Sequence, residues 1–314
     1  MTKKIGVLRG VENSFPEALL ARINEEYASS GVTAEFVAID AVRLGGEVAY
    51  DVILDRVSHD VPFYRSFLKW AALRGVTVVN NPFWASAGDA FVDAAIVHGL
   101  SLAAPKTAIL PHKQRPPFTE AGTFRNLRFP VDWPGVFAHI GFPAVLKTHD
   151  GAGRRGATVV HSVEQFFAAY DASGAACMML QEVVPSEATF RCACIGRSDV
   201  LVMRFNPAAP AGRHYLDVPA EKLPATLKRR LERDTKAICK ALGTDVNVVE
   251  FAVQDGTPVV TDASDPVRDA DVASLGEDNF EWLVRATAAF LVETALEAKR
   301  PLQWNANGLL KSRP

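Results

Sequence analysis

The sequence predicts an α/β fold whose first part is an open parallel sheet and whose second part is organised differently. Strand-like and helix-like segments alternate over the first hundred residues, which is typical of parallel strands joined by helices. From Lys106 this alternation gives way to a proline-rich stretch, and further on a glycine-rich loop lies between two strand-like runs. The length of 314 residues exceeds the usual size of one hydrophobic core, so we expect two or three compact units.

The elements of the first part follow from apolar periodicity and from glycine or proline stops. Predicted strands cover 4–9, 33–39, 52–56 and 76–80, and predicted helices cover 15–28, 61–73 and 87–100. No glycine-rich phosphate loop follows the first strand, so this part is expected to present substrate rather than nucleotide. A ligand would contact it near the sequences FPEA and VSHD, beyond the strand ends.

The second part mixes strands with fewer helices. Predicted strands cover 142–147, 157–161, 178–184, 189–195, 200–205, 246–253 and 258–261, and predicted helices cover 163–172 and 224–242. Two antiparallel pairs are expected, one turning at 196–199 and one at 254–257. A last long helix is expected to open at the capping-box spacing of Ser274 and Glu277 and to end near residue 299.

Composition narrows the class of protein. The net charge of −2, from 34 basic and 36 acidic residues, gives no global field that favours nucleic acid or a membrane surface. The apolar run near the start is too short for a signal peptide, and no stretch is long enough to be expected to span a bilayer. The cysteines lack C-x-x-C spacing, and we interpret them as reduced thiols of a cytoplasmic protein, with a metal or redox role as the alternative: Cys177, Cys192, Cys194 and Cys239.

The glycine-rich loop raises the question of which nucleotide it binds. Gly151, Gly153 and Gly156 fit the G-x-G-x-x-G pattern, but a strand-like run rather than a helix follows them. Without a helix N-terminus to hold a pyrophosphate, an NAD site is excluded. The arrangement of strand, loop and strand instead predicts a flexible hairpin tip that folds over phosphates, with Lys147 at its base and Arg154 in the tip.

Two acidic residues on a predicted hairpin point to a divalent cation. Glu250 lies in the apolar run VVEFAV, where an ionised carboxylate is costly unless it is paired or bound to a metal. Asp262 follows a similar apolar run on the second strand of the hairpin. Because Mg²⁺ takes one or two protein carboxylates together with substrate phosphate oxygens, the pair predicts a magnesium platform.

Together these motifs resemble the ATP-grasp superfamily, most closely its RimK-like and glutathione-synthetase-like ligases. The resemblance covers most of the chain and is carried by APKTAILP, FPAVLKTHDGAGRRGATVV, LQEVVP, FRCACIGRSDVLVMRF and DVNVVEFAVQDGTPVVTDASDP. It implies a parallel α/β domain over 1–104, an α+β lobe with the phosphate lid over 105–183, and an α+β lobe with the metal site over 184–314. ATP would be clasped between the two lobes.

The resemblance also implies a set of nucleotide-binding residues. By position in the motifs, the lysines match phosphate ligands, the loop residues match the lid, and the end of the next strand matches the hinge that reads adenine. The matched residues are Lys106 and Lys147, then Gly151, Gly153, Arg154 and Gly156 in the lid, Gln181, Glu182 and Val184 at the hinge, and Glu187 at the ribose.

The remaining matched residues surround the chemistry. Arg191 and Arg204 match cationic positions that neutralise phosphate or acyl-phosphate charge in the family. Glu250 and Asp262 match metal ligands for Mg²⁺, with Mn²⁺ as an alternative ion. Asp265 stands where we expect the asparagine that usually completes the family's metal motif, so a third carboxylate replaces a neutral amide.

The function implied is an ADP-forming carboxylate–amine ligase that works through an acyl-phosphate and joins amino acids or small peptides. A catalytically weak ATP-binding regulator of the same fold is the alternative, because Asp265 changes the metal motif. The expected partners are small carboxylate and amine substrates, with no nucleic acid and no membrane, and a homodimer stays open.

Overall fold

A computed structural model describes residues 2–12, 14–59, 61–83, 89–150, 157–216, 223–265 and 270–297 of the chain. The chain divides into two compact units. Residues 1–87, 188–250 and 265–314 form the first unit, and residues 88–187 and 251–264 form the second. Each unit is thus assembled from stretches that are distant in sequence.

The first unit begins with the predicted parallel sheet. Its strands are β1 (Lys3–Leu8), β2 (Val32–Phe36), β3 (Val52–Asp55) and β4 (Thr77–Val79), and its connecting helices are α1 (Ser14–Glu26) and α2 (Pro62–Leu73). The order β2-β1-β3-β4, with every pairing parallel, confirms the expectation from alternation. Ile5 and Val7 lie on one face of the central strand and are fully buried, and Leu8 on the other face is 3% exposed, as expected for a sheet covered on both faces.

The second unit holds an antiparallel sheet in the order β5-β8-β6-β7. Its elements are α3 (Ala90–Gly99), β5 (Thr107–Ile109), α4 (Trp133–Ile140), β6 (Ala144–Thr148), β7 (Thr158–Val160), α5 (Val163–Ala172) and β8 (Met178–Glu182). Trp133 and Phe137 of α4 pack against Phe166 of α5, with ring centroids 5.4 and 5.0 Å apart. This aromatic layer covers one face of the sheet.

The later stretches add a ribbon, a hairpin and three helices. The elements are β9 (Ala188–Ile195), β10 (Asp199–Phe205), α6 (Ala225–Leu242), β11 (Val246–Gln254), β12 (Thr257–Asp265), α7 (Val272–Leu275) and α8 (Glu277–Leu296). The sheet order is β10-β9-β11-β12. Asp255 and Gly256 both have positive φ, which is the two-residue turn geometry of a tight hairpin and confirms the predicted turn.

The last helix does not open where the sequence predicted. Ser274 lies inside the short helix α7, so the capping-box interpretation of Ser274 and Glu277 is wrong. Gly276 has a φ of 77°, a value that glycine adopts without strain, and it separates α7 from α8. No helix in the described part of the chain is long and apolar enough to cross a membrane.

The side chain of Asn80 fixes the start of β11 within the first unit. Its Oδ1 accepts hydrogen bonds from the backbone N–H groups of Asp245 and Val246 at 2.7 and 2.8 Å, and its Nδ2 donates to the Val246 carbonyl at 2.7 Å. A side-chain amide can offer the same donor and acceptor as a neighbouring strand. Asn80, just after β4, therefore positions the strand that carries Glu250.

One hydrophobic core joins the distant stretches of the first unit. Ile5 and Leu19 from the N-terminal stretch, Ala193 from β9 and Leu291 from α8 all belong to the same buried cluster, and each is at most 1 % exposed. The parallel sheet is therefore covered in part by the last helix of the chain.

Candidate functional site

Lys147 lies on the face of β6 that is turned away from the core of the second unit. Ala144 and Leu146 of this strand are buried in the core cluster, and successive side chains of a strand point to opposite faces. Lys147 pairs in register with Met179 of β8 and is half-buried. Strand alternation thus directs the Lys147 side chain to the face of the sheet opposite this core cluster, which it shares with the buried Met179, and Lys147 is close to the glycine-rich loop in sequence.

The glycine-rich loop follows β6 in sequence and precedes β7. Gly151, Gly153, Arg154 and Gly156 lie outside the described residues. The flanking strands β6 and β7 are antiparallel, with Ala144 opposite Val160. This confirms the arrangement of strand, loop and strand on which the exclusion of an NAD site depended.

The predicted adenine hinge is held by its own hydrogen bonds. Gln181 is 8 % exposed, and its Nε2 donates to Thr107 Oγ1 at 3.1 Å. Glu182 exchanges bonds with the backbone of Lys106: its Oε2 accepts from the Lys106 N–H at 3.1 Å, and its own N–H donates to the Lys106 carbonyl at 2.9 Å. The side chain of Gln181 therefore supports the hinge, and a role in reading adenine stays a prediction for this segment.

The other predicted nucleotide residues lie near this hinge in the second unit. The side chain of Lys106 is exposed at the start of β5, and Val184 is half-buried just beyond β8. Glu187 is exposed, its N–H donates to the Val253 carbonyl at 2.9 Å, and its Oε1 accepts from the Asp255 N–H at 3.1 Å. Glu187 is thus bound to the β11–β12 hairpin, and its assignment to the ribose stays a prediction.

Arg191 is the centre of a buried cluster in the first unit. It is 9 % exposed, its Nε donates to Glu250 Oε2 at 3.0 Å, and its guanidinium donates to the Tyr215 hydroxyl at 3.1 Å. The guanidinium carbon also lies 3.8 Å from the centroid of the Phe205 ring. Burial alone would lower the pKa of Arg191, but Tyr215 and then Glu250 outweigh it and raise the pKa above its ordinary value.

Arg204 projects from the opposite face of the β9–β10 ribbon. In the antiparallel register Arg191 faces Met203, whereas Arg204 faces Phe190, and directly opposed residues share a face. The guanidinium carbon of Arg204 lies 5.5 Å from the Phe190 ring centroid. The structure therefore places the two predicted catalytic arginines on opposite faces of the ribbon, and Arg191 joins the cluster around Glu250.

Asp265 lies at the end of β12, in the first unit, beside the same cluster. It lines a cavity of about 10 Å³, room for about one water molecule, together with Arg191, Tyr215 and Asn279. Its N–H donates to Asn247 Oδ1 at 3.1 Å. Three predicted site residues, Arg191, Glu250 and Asp265, are thus gathered in one part of this unit.

Asp262 belongs to the second unit, where it meets a residue that sequence analysis missed. Burial, and next the negative charges of Asp262 and Asp89, raise the pKa of Asp93 to about 7. Asp89 caps α3 by accepting hydrogen bonds from the N–H groups of Phe91 and Val92. Asp93 is a lone acid in the apolar helix AFVDAAIVHG, and this contrast could have marked it in the sequence as an unusual acid.

Tyr215, which joins the cluster around Arg191, could not have been found in the same way, because its loop lacks periodicity.

The predicted metal ligands suit magnesium by chemistry, although no cluster is preassembled. Among the described residues no three histidine, cysteine or acidic side chains are close enough to hold a metal ion. Asp262 and Asp265 are three residues apart on β12, so strand alternation directs them to opposite faces of the strand. Carboxylate oxygens are the donors that Mg²⁺ prefers, and the ion completes its shell with water and substrate phosphate. The ligand set stays a prediction.

The described cysteines are all free thiols, as predicted. Cys192, Cys194 and Cys239 are buried, and Cys177 is half-buried. The Sγ of Cys177 contacts the Leu110 carbonyl, and the ring Nδ1 of His149 pairs with the Cys177 carbonyl at 3.3 Å. Packing therefore accounts for these side chains.

The architecture matches solved structures of the ATP-grasp class over nearly the whole chain. The RimK domain ATP-grasp protein of Sphaerobacter thermophilus aligns with a TM-score of 0.64 at 20% identity, over 92% of this chain and 99% of that one. D-alanine–D-alanine ligase of Bacillus anthracis, in complex with ATP, aligns with 0.62 at 16% identity, over 94% and 98%. The macrocyclase MdnC of Microcystis aeruginosa, bound with the precursor peptide MdnA, aligns with 0.58 at 13% identity, over 93% and 100%.

These alignments show that the protein has the ATP-grasp fold, which confirms the fold that the motifs implied. No family model matches the chain, and no curated protein matches it in sequence. The likeness is therefore one of structure, at identities too low to transfer a substrate.

Proposed function

We propose that this protein is an ATP-dependent carboxylate–amine ligase that forms ADP and phosphate. The observation that carries the proposal is the buried Arg191, held by Glu250, Tyr215 and Phe205, in a chain with the ATP-grasp fold. A buried cation that is fixed before the reaction begins can stabilise negative charge as it develops, with little reorganisation.

The reaction would proceed in two balanced steps. A substrate carboxylate oxygen attacks the γ-phosphorus of ATP, the bond to the bridging oxygen breaks, and ADP leaves. An amine nitrogen then attacks the carbonyl carbon of the acyl-phosphate, phosphate leaves with the bonding electron pair, and the nitrogen loses a proton. Both steps spread charge over phosphate oxygens, so positioned cations supply most of the catalysis.

The proposed roles are those that the motif resemblance implies. Lys147, on the face of β6 opposite the core cluster, and Lys106 would hold ATP phosphates together with the glycine-rich loop. Arg191 would face the developing acyl-phosphate charge, and its raised pKa keeps it cationic throughout the physiological range. Glu250 and Asp262, with Asp265, would hold Mg²⁺, which when bound neutralises phosphate charge. Arg204, on the other face of the ribbon, is a weaker candidate for catalysis.

An ATP-binding regulator is the second candidate, and one observation favours it. Glu250 is already paired with Arg191 at 3.0 Å, and Asp265 adds a further carboxylate beside the same cluster. If this pairing persists with nucleotide bound, ATP would bind without acceptor-dependent turnover. The reduced thiols support a reducing compartment such as the cytoplasm for either function.

The two candidates are separated by measuring ADP and phosphate release with ATP, Mg²⁺ and pooled amino acids, and by mass spectrometry for a condensed product. A ligase releases ADP only when acceptors are present, and Glu250→Gln should lower this rate roughly a hundredfold. Asp255→Asn is the matched control, because Asp255 is an exposed acid at the tip of the same hairpin in a left-handed conformation that asparagine tolerates.

The outcomes are distinct. ATP binding without release of ADP under any acceptor favours the regulator. Formation of AMP and pyrophosphate refutes the acyl-phosphate route, and an equal loss of activity in Glu250→Gln and Asp255→Asn removes Glu250 from the site.

A further inference from the structure

A long surface loop of the second unit has features that the ligase reaction does not use. The loop joins β5 to α4, and its residues 115–130 are called here the arginine–phenylalanine loop. Its beginning is anchored: the Leu110 N–H donates to the Met178 carbonyl at 2.8 Å, and the Gln114 N–H donates to the Gly174 carbonyl at 2.9 Å. Loops of this length are uncommon in compact domains, and they are usually either functional or linker segments.

Beyond this anchor the loop is supported by itself. Thr119 bonds to the Pro116 carbonyl through both its N–H and its hydroxyl, and Leu127 bonds to the Phe124 carbonyl. Glu120 and Thr123 cap a short 3₁₀ turn reciprocally. In the described part of the chain, residues 115–130 are thus held mainly by hydrogen bonds to one another.

The loop nevertheless exposes large apolar side chains. Phe118 is fully exposed, Phe129 is 73% exposed and Leu127 is 38% exposed. Phe118 also has a φ of 65°, in the left-handed region that favours glycine. Such strain at a bulky residue tends to occur at functional positions, and a fully solvated ring contributes nothing to the fold.

The charged residues of the loop are mostly cationic. Arg115, Arg125 and Arg128 are exposed, whereas Glu120, the sole acid in this segment of the sequence, is engaged in capping the 3₁₀ turn. The loop is therefore a local cationic surface on a chain whose net charge is −2. Arginine and aromatic residues are also the side chains most enriched where proteins bind other proteins.

We propose that the arginine–phenylalanine loop is a docking surface for an acidic peptide segment that carries apolar residues. Carboxylates of the segment pair with the three arginines, and its apolar side chains cover Phe118 and Phe129. A nucleic acid fits less well, because proteins that bind nucleic acids spread many cations along one face and carry a positive net charge. An anionic membrane likewise requires a denser basic cluster. The proposal does not depend on ligase activity.

The test measures binding to the full chain by fluorescence anisotropy. The probe is a fluorescein-labelled peptide in which glutamate alternates with leucine, and the comparison peptide replaces each glutamate with glutamine. Binding should be selective for the acidic probe and should weaken as salt is raised, because exposed charges are screened. Replacing Arg115, Arg125 and Arg128 together with glutamine should raise the Kd about tenfold or more, equivalent to about 1.4 kcal/mol.

Matched controls remove the same charge and the same apolar surface elsewhere. Arg43, Arg74 and Arg229 are exposed arginines outside the loop, and their joint replacement by glutamine should leave the Kd unchanged. Phe118→Ser should weaken binding severalfold, whereas Leu44→Ser, at a side chain 90% exposed in another loop, should not.

Three results would overturn the proposal. One is no measurable binding of the acidic probe, and another is equal weakening by the loop variants and their controls. The third is tighter binding of single-stranded oligothymidine or phosphatidylserine vesicles than of the acidic peptide.

Discussion

Arg191 illustrates at the residue scale how packing fixes the position of a buried charge. Its guanidinium uses separate N–H groups for Glu250 and Tyr215 while its face lies over Phe205. Lysine cannot reproduce this planar fork. Arg191→Lys should therefore lower acceptor-dependent ADP formation roughly a hundredfold while ATP affinity changes little.

Tyr215→Phe is a milder substitution in the same cluster, because it removes one hydrogen bond to Arg191 and keeps the aromatic ring. Its rate should fall less than that of Arg191→Lys. An Arg191→Lys enzyme with the kcat of the unmodified protein would contradict the role given to the fork.

Asp93 predicts a pH dependence of folding stability. Its pKa is about 7 in the folded chain against 3.8 ordinarily, so the folded state binds the proton more tightly than the unfolded state. The stabilisation is complete below about pH 4 and is lost as the pH rises through about 7. Asp93→Asn removes this loss, and its free energy of unfolding at about pH 8 should exceed that of the unmodified protein by on the order of a few kcal/mol.

Denaturant titrations at several pH values would measure this difference. Asp278→Asn, at an exposed acid in the first turn of α8, serves as the control and should show no such trend. A difference between Asp93→Asn and the unmodified protein that does not change with pH would show that Asp93 is not the titrating group.

At the scale of single elements, the alternation of side chains along β6 separates the predicted ATP ligand Lys147 from the core. Ala144 and Leu146 are buried in the core cluster, and Lys147 lies on the opposite face of the strand. Lys147→Ala should weaken ATP binding about tenfold, or about 1.4 kcal/mol, by calorimetry. Lys113→Ala is a control in the same unit, because Lys113 pairs with Asp171 at the surface. If both variants bind ATP with equal affinity, Lys147 does not contribute to ATP binding.

Helices and strands were predictable from the sequence where the apolar periodicity extended over many residues and a nearby residue such as glycine or proline marked the end. The helix over 163–172 and the parallel strands were confirmed, whereas β5 and α4 were missed. β5 has three residues, and the apolar positions of α4 are interrupted by Pro134 and Gly135. Ser274 failed as a cap because the backbone of Gly276, rather than a side chain, decided where α8 begins.

The site was less accessible to sequence reasoning than the fold. The order of the motifs assigned the same cationic role to Arg191 and Arg204. The face of the ribbon from which each side chain projects depends on the cross-strand register, and this register is fixed by the pairing of β9 with β10. The sequence also could not identify Asp93 as an acid with a raised pKa. Besides burial, that pKa depends on the carboxylate of Asp262, which is 169 residues away in sequence.

At the scale of the whole molecule, nucleotide binding should stabilise the fold. A ligand that binds only the native state at about a hundred times its Kd adds about 2.7 kcal/mol. ATP with Mg²⁺ should therefore raise the thermal midpoint, and chelating the metal with EDTA should reduce the rise. NAD should cause no shift, because no helix follows the glycine-rich loop. A shift by NAD equal to that by ATP would contradict the site.

The shared core of the first unit has a consequence for how the chain is made. Ile5 and Leu19 leave the ribosome well before Leu291 of the same cluster is added, because 272 residues separate Leu19 from Leu291 in sequence. Domains generally fold as units during synthesis, and exposed apolar surface in an incomplete unit invites aggregation. The nascent parallel sheet must wait, with part of its apolar surface uncovered, until translation reaches α8. A chaperone that holds these strands would thus act on the first unit from their emergence until α8 has been made.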